Sequence, residues 1–463
     1  MTWETAGDIA AAVTSGQRTV TEIIEATLGR IERLDPHLTA FTAVTADRAR
    51  ARAAELDAAR AAGQAVGPLA GVPFAVKNLI DVAGLPTLAG SKINRDHPPA
   101  EADGTLVRRL EAAGAVLVGA LNMGEYAYDF TGENAHEGAS RNPHDLSRMS
   151  GGSSGGSGSA VGGGLVPLAL GSDTNGSIRV PASFCGIFGL KPTYGRLSRG
   201  GSFPFVSSLD HLGPFARSVL DLAQSYDAMQ GPDERDPGCS DRPADSTVGS
   251  VTAGIDGLRI VVAGGYFRAG AGEEALAALD RVAAALDVTE TVEIPEAARA
   301  RAAAYVITTT EGAAMHLDRL RTRPADFDPD VRDRLIAGAL LPAPVLVQAQ
   351  KFRRWFRDAM LRLFDRYDAI LAPATPCVAP LIGQKTFVLN GVEQPVRPNI
   401  GIYTQPISFI GLPVVAVPVF PSSGLPVGVQ VIAPPWREDI ALRIAHVLEM
   451  SGVAQARPPA LEG

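Results

Sequence analysis

The sequence predicts an α/β fold: one large domain over residues 1–463, built around one partly parallel sheet. Two observations lead there. Short apolar runs alternate with helix-patterned segments, and the first alternation (strand 71–77, helix 104–113, strand 115–119) has the form of a βαβ unit. No internal repeat and no true linker divides the chain, so the strands are read as one sheet.

Residues 1–65 form a helical segment expected to pack on that sheet. Thr19-Val20-Thr21-Glu22 has capping-box spacing, and Ile23, Ile24, Thr27, Leu28 and Ile31 follow at helical intervals. Asp35-Pro36 is expected to end this helix, because a residue before proline avoids the helical region. An Ala-rich helix over 46–62 stops near Gly63. Gly71-Val72-Pro73-Phe74-Ala75-Val76-Lys77 is an apolar strand closing on a lysine, and 150–192 is dense in glycine and small apolar residues. A helix over 218–229 precedes a surface excursion at 233–256, rich in Pro, Asp, Ser and Gly. Then come a strand at 258–262, a helix at 273–286, one long helix at 343–367, strands at 369–373, 414–418 and 427–432, and a closing helix at 439–450.

Composition narrows the function. Apolar residues make up 46% and charged residues 20%, an ordinary globular balance. A net charge of −8 gives no footprint for nucleic acid or an anionic membrane, and Arg353, Arg354 and Arg357 read as a solvated helix face. Three scattered cysteines suggest neither a disulfide framework nor a Cys-x-x-Cys site and fit a cytoplasmic setting. The opening residues lack a basic region before an apolar core, so no secretory signal is expected, and no apolar run is long enough to predict a membrane span. Seven histidines without a metal-binding spacing predict no metal, and no cofactor is expected.

Met149-Ser150-Gly151-Gly152-Ser153-Ser154-Gly155-Gly156-Ser157-Gly158-Ser159 has the composition of a tether. Its continuation, Ala160-Val161-Gly162-Gly163-Gly164-Leu165-Val166, is apolar, which fits backbone packed closely on backbone. Gly151-Gly152-Ser153-Ser154-Gly155 matches a nucleophile elbow but follows a turn rather than a strand. Gly171-Ser172-Asp173-Thr174-Asn175-Gly176 begins like a phosphate-binding loop, yet Ser177 stands where the lysine is needed.

Together these two serine segments resemble the amidase signature sequence. Gly71-Val72-Pro73-Phe74-Ala75-Val76-Lys77-Asn78-Leu79-Ile80-Asp81 is similar to the family's lysine motif, and Gly189-Leu190-Lys191-Pro192-Thr193 and Gly411-Leu412-Pro413 also agree with family segments. The resemblance covers nearly the whole chain, with 150–192 as the signature core. It implies a single α/β/α domain with a mixed, mostly parallel central sheet flanked by helices, and an amidohydrolase with Ser177 as nucleophile, Ser153 as a bridging serine after a cis peptide bond, and Lys77 as base. The oxyanion hole maps onto the backbone N–H groups of Thr174, Asn175, Gly176 and Ser177. Asn175 departs from the glycine common in the family; asparagine tolerates unusual backbone angles, so the loop is expected to survive.

The implied chemistry has a cost. A free lysine has a pKa near 10.4, and keeping it neutral at pH 7 costs about 4.6 kcal/mol. Burial can supply that, and no acid lies within three residues of Lys77. Asp173 and Arg179 are expected to form an ion pair. Leu209-Asp210-His211-Leu212 is read as a structural turn rather than part of a Ser–His–Asp arrangement.

Phe203-Pro204-Phe205 and Leu209-Asp210-His211-Leu212-Gly213-Pro214 resemble the carboxybiuret hydrolase-type branch. That implies a small, carboxylated, urea-like amide as substrate, release of ammonia, and association with a short helical companion subunit in a homodimeric or heterotetrameric assembly. Tyr126, His136, Arg332 and Tyr403 are the expected substrate contacts. An amidase for oxalurate or malonamate is one alternative. Another is the glutaminase subunit of a tRNA-dependent amidotransferase, but its glutamine-reading aspartate is replaced by Gly401, three residues before Thr404-Gln405-Pro406.

Overall fold

The computed structural model describes residues 3–461. An 11-stranded sheet runs through the molecule. In chain order its strands are β1 (Phe41–Val44), β2 (Pro73–Lys77), β3 (Val116–Leu121), β4 (Leu168–Asp173), β5 (Phe188–Lys191), β6 (His211–Ala216), β7 (Ile260–Ala263), β8 (Thr291–Val292), β9 (Ala369–Pro373), β10 (Val414–Val419) and β11 (Val427–Ile432). Across the sheet the order is β1-β3-β2-β4-β6-β5-β10-β11-β9-β7-β8. Helices cover the sheet, and the residues of β2 to β6 and β9 to β11 are buried along their whole length. That two-sided burial is why these segments read as continuous apolar runs rather than alternating ones.

The sheet is mixed, as expected, but not mostly parallel. Parallel pairing joins β3, β2 and β4 toward one end and β9, β7 and β8 at the other. Every pairing between β4 and β9 is antiparallel. The sequence hid this because β6 begins inside Leu209-Asp210-His211-Leu212, read as a turn, and continues through Gly213 and Pro214, residues that weaken a strand signal. In the fold Gly213 lies against β5, where a Cβ would come within 2.1 Å of the Leu190 carbonyl oxygen, so only glycine fits. His211 therefore opens a strand instead of sitting in a turn.

Two other expectations need correction. The second helix, Val20–Leu38, runs through Asp35-Pro36 and ends at Thr39 in the left-handed conformation. The Asp35 carboxylate accepts from the N–H groups of Ala40 and Phe41, tying the chain down only after that extra turn. The helices Ala297–Thr322 and Pro329–Ala339 occupy a stretch for which the sequence pattern announced no element. The first is rich in alanine on every side, so it shows no sharp apolar face. Among the described residues, no single helix is long and apolar enough to cross a membrane.

Candidate active site

Two neighbouring parallel strands bring the expected site together. β2 ends on Lys77 and β4 ends on Ser172-Asp173, with Val76 opposite Leu170 in register. Ser153 and Ser154 immediately precede the helix Gly155–Gly162, which packs against the same strands. The site thus forms at the carboxyl ends of parallel strands, where chain reversals leave a crevice. The peptide bond between Gly152 and Ser153 is cis.

Lys77 is wholly buried, and its Nζ meets only serine hydroxyls: Ser153 Oγ at 2.7 Å, Ser172 Oγ at 2.8 Å and Ser154 Oγ at 3.0 Å. No carboxylate pairs with it among the described residues. Burial drives its pKa down to about 7 from 10.5; Asp210, Asp173 and Asp129 act from a distance in the opposite direction and do not cancel the effect.

Ser177 lies on the loop between β4 and the helix Arg179–Cys185. A buried ion pair fixes the base of this loop: Arg179 donates to Asp173 at 2.9 and 3.0 Å, and also reaches Gln430 at 2.6 Å. These contacts hold the Asp173 carboxyl far below its usual range despite full burial. Thr404 Oγ1 donates to the Asn175 carbonyl at 2.7 Å. Gly176 has φ +142°, and a Cβ there would sit 2.2 Å from Thr404 Oγ1, so no other residue fits without moving the loop. Asn175 does not adopt a positive φ; its side chain instead donates to Thr308 Oγ1 at 2.9 Å. Among the described residues nothing accepts from the N–H groups of Asn175, Gly176 or Ser177, and the Ser177 hydroxyl makes no hydrogen bond. Free donors beside a hydroxyl at the mouth of a short helix suit a developing oxyanion.

Ser177 opens onto a cavity of about 330 Å³ walled by Tyr128, Phe130, Asn175, Phe205, Arg334 and Arg397, among others. A second cavity of about 200 Å³ adjoins it, with Ser172, Arg199 and Asp210 in its wall, and Ala127, Thr174 and Phe205 border both. Arg397 is neutralised by Asp129 at 2.7 Å, Asp330 at 3.1 Å and Glu133 at 3.2 Å. Arg334 differs. Its donors reach the backbone carbonyls of Asp330 and Tyr128, its guanidinium stacks 4.0 Å over the Tyr128 ring, and no carboxylate pairs with it among the described residues. None of the described groups of His, Cys, Asp and Glu could hold a metal ion.

The four expected substrate contacts do not line this cavity. Tyr126 is buried, bonds Asn94 at 3.1 Å and packs on His316. His136 turns to Glu125 at 3.0 Å. Arg332 is paired with Asp333 at 2.8 Å, and Tyr403 is buried against Phe267. The residues overlooked in the sequence are Ser154 and Ser172 around the lysine, and Tyr128, Arg334 and Arg397 in the cavity wall. Ser172 was within reach, since it directly precedes Asp173 in the signature; Arg397 carried no local signal.

The buried lysine, its serine cradle and the glycine-shaped loop thus lie together at one end of the sheet. Residues 22–442 match the Amidase family, and the chain belongs to it. It is an amidohydrolase acting on carbon–nitrogen bonds. The chain is 54% identical to AtzE, the 1-carboxybiuret hydrolase subunit of Pseudomonas sp. (strain ADP), covering 97% of this chain and 99% of that one. It is 36% identical to the A-type glutamyl-tRNA(Gln) amidotransferase subunit of Geobacillus kaustophilus (strain HTA426), covering 96% of each. A solved structure, described as a vestigial protein complex that reveals the origins of an s-triazine catabolic enzyme, superposes with a TM-score of 0.97 at 54% identity over 98% of this chain and 100% of that one.

Proposed function

We propose that the chain hydrolyses a small, carboxylated, urea-like amide such as 1-carboxybiuret, through an acyl-enzyme on Ser177 and with release of ammonia. The observation that carries this is the hydrogen-bond balance of Lys77. Ser154 commits its own proton to the Ser172 carbonyl at 3.1 Å, so it must accept from the amine. A neutral amine has two N–H donors and one lone pair. One N–H is therefore fixed on Ser154; with the second on Ser172, the lone pair takes the Ser153 proton, which is the arrangement the proposed relay uses. Ser153 can then take the proton of Ser177 as it attacks the substrate carbonyl and later return it to the departing nitrogen. Water completes the cycle by hydrolysing the acyl-enzyme.

Arg334 supports the substrate class: among the described residues it has no carboxylate partner, although Asp129, Asp330 and Asp333 share the wall, and a substrate carboxylate would find a donor there. The identity to a 1-carboxybiuret hydrolase subunit supports the same class. A glutaminase reading gains nothing from the site, because the Phe130 ring fills the space at Gly401, where a Cβ would lie 2.4 Å away. Mass spectrometry of enzyme trapped with substrate is expected to show the acyl adduct on the Ser177 peptide; an adduct on Ser153 would reverse the two roles.

We also infer that the chain works with a companion subunit, since its structural relative is described as a protein complex. Leu340, Val347 and Trp355 stand exposed on and just before the Ala343–Phe364 helix and offer an apolar face. Native mass spectrometry of the chain purified from its own host is expected to show a second, short polypeptide bound, which Trp355→Glu releases; a chain recovered alone would count against the companion.

A further inference from the structure

Two residues before Ser177, the Asn175 side chain stands in the cavity wall with one polar end unused. Its Nδ2 donates to Thr308 Oγ1 at 2.9 Å, which fixes the plane of the amide against the Ala297–Thr322 helix. Its Oδ1 is buried and receives no hydrogen bond, and the residue is only 7% exposed. The backbone carbonyl of Asn175 is already bonded to Thr404, so Oδ1 is the residue's one free acceptor. Phe130, Phe205 and Ala127 provide apolar neighbours in the same wall. An amide oxygen withdrawn from water without a donor is costly, and a ligand that brings a donor relieves the cost.

We propose that Asn175 is a specificity-determining residue, whose Oδ1 accepts a hydrogen bond from a substrate N–H adjoining the carbonyl that Ser177 attacks. This rests on the reading of Ser177 as nucleophile and of Arg334 as the carboxylate anchor. A urea-type amide carries nitrogen on both sides of its carbonyl. One nitrogen leaves; the other, on the side of the carboxylate, presents its N–H to Asn175. A simple amide has carbon there and leaves Oδ1 without a partner. The site therefore selects urea-type carboxylates over simple amide carboxylates of equal length.

The matched pair N-carbamoylglycine and succinamate tests this, because they differ only by NH against CH2 at that atom. For the full chain, kcat/KM is measured on both with wild type, Asn175→Gly and Thr308→Val, and the affinity of both is measured calorimetrically with Ser177→Ala. Wild type is expected to favour N-carbamoylglycine by about tenfold or more, the scale of one buried hydrogen bond. Asn175→Gly should bring the ratio close to one by losing rate on N-carbamoylglycine. Thr308→Val, which frees the amide to rotate, should lower the ratio part of the way. A wild-type ratio near one, or a ratio unmoved in Asn175→Gly, overturns the proposal; should that variant not fold, an unmoved ratio in Thr308→Val does so. Equal turnover of the pair refutes only the role of Asn175. Absence of turnover on every carboxylated amide refutes the function proposed above, and the binding ratio in Ser177→Ala then still decides whether Asn175 reads the N–H.

Discussion

Two lysines close two strands of one sheet: Lys77 ends β2 and Lys191 ends β5. Both are wholly buried, and burial brings both down to about 7 from 10.5. Their surroundings differ. Lys77 is ringed by three hydroxyls, of which Ser172 lines the smaller cavity. Lys191 donates to a single backbone carbonyl, that of Pro192, at 3.0 Å. It stands in the field of Arg179, which pushes its pKa lower, and of Asp173 and Glu438, which oppose that. A carbonyl can accept a hydrogen bond but cannot hand on a proton, whereas a hydroxyl does both. The comparison separates two things that a low lysine pKa can mean: a base ready to work, or an amine buried for packing. Partner chemistry distinguishes them, and pKa alone does not.

The sharpest way to break this distinction is Lys77→Ala. Removal of the proposed base is expected to lower turnover by about 10²–10⁴-fold, the range of general-base contributions, while circular dichroism shows an intact fold. Near-normal rates would remove Lys77 from the mechanism. A smaller effect lies in pH. The proposed mechanism needs Lys77 neutral, so kcat/KM should rise with pH and level off above about 7. Asp210 is the strongest of the charges holding that pKa up, so Asp210→Asn should move the rising limb to lower pH. A limb that stays in place or moves upward would mean that another group controls it.

What the sequence revealed about each part of the site follows from how far its signal had to travel. Lys77 stood at the end of an apolar strand in a βαβ pattern, and the serines lay in one glycine-dense stretch, so spacing and resemblance sufficed. The cavity wall is assembled from remote segments, and two near misses show why. Tyr126 was expected in the site and Tyr128 is found there. Positive φ values at Tyr126 and Ala127 turn the chain between them, sending the first ring into the core and the second toward the cavity. Arg332 was expected and Arg334 is found. Two residues on a helix point about 200° apart, so Arg334 lines the cavity while Arg332 does not and pairs with Asp333 instead. Such choices depend on turn conformation and helix orientation, which local pattern does not carry. The central antiparallel pairings were hidden for a related reason: a strand containing Gly213 and Pro214 is recognisable only once its neighbour's carbonyl is known.

The mildest test concerns Lys191. Lys191→Met should leave turnover close to wild type, because the amine feeds no hydroxyl. Its signature belongs in stability instead. In the unfolded chain Lys191 binds its proton up to about pH 10.5, and in the fold only up to about 7. Above 10.5 both states are neutral and the residue costs nothing. As pH falls toward 7 the unfolded state alone is protonated, and the fold loses stability until both states are charged. At pH 7 that loss is about 4 kcal/mol, and by pH 9 it has shrunk to about 2 kcal/mol. Methionine has no such term. Whatever packing or hydrogen bonding the substitution changes, the stability of the variant relative to wild type should therefore fall by about 2 kcal/mol between pH 7 and pH 9, read from denaturant unfolding at both. A pH-independent difference would show that Lys191 keeps its charge in the fold, paired through Asp173 and Glu438. The contrast with Lys77 would then lie in protonation state as well as in partners.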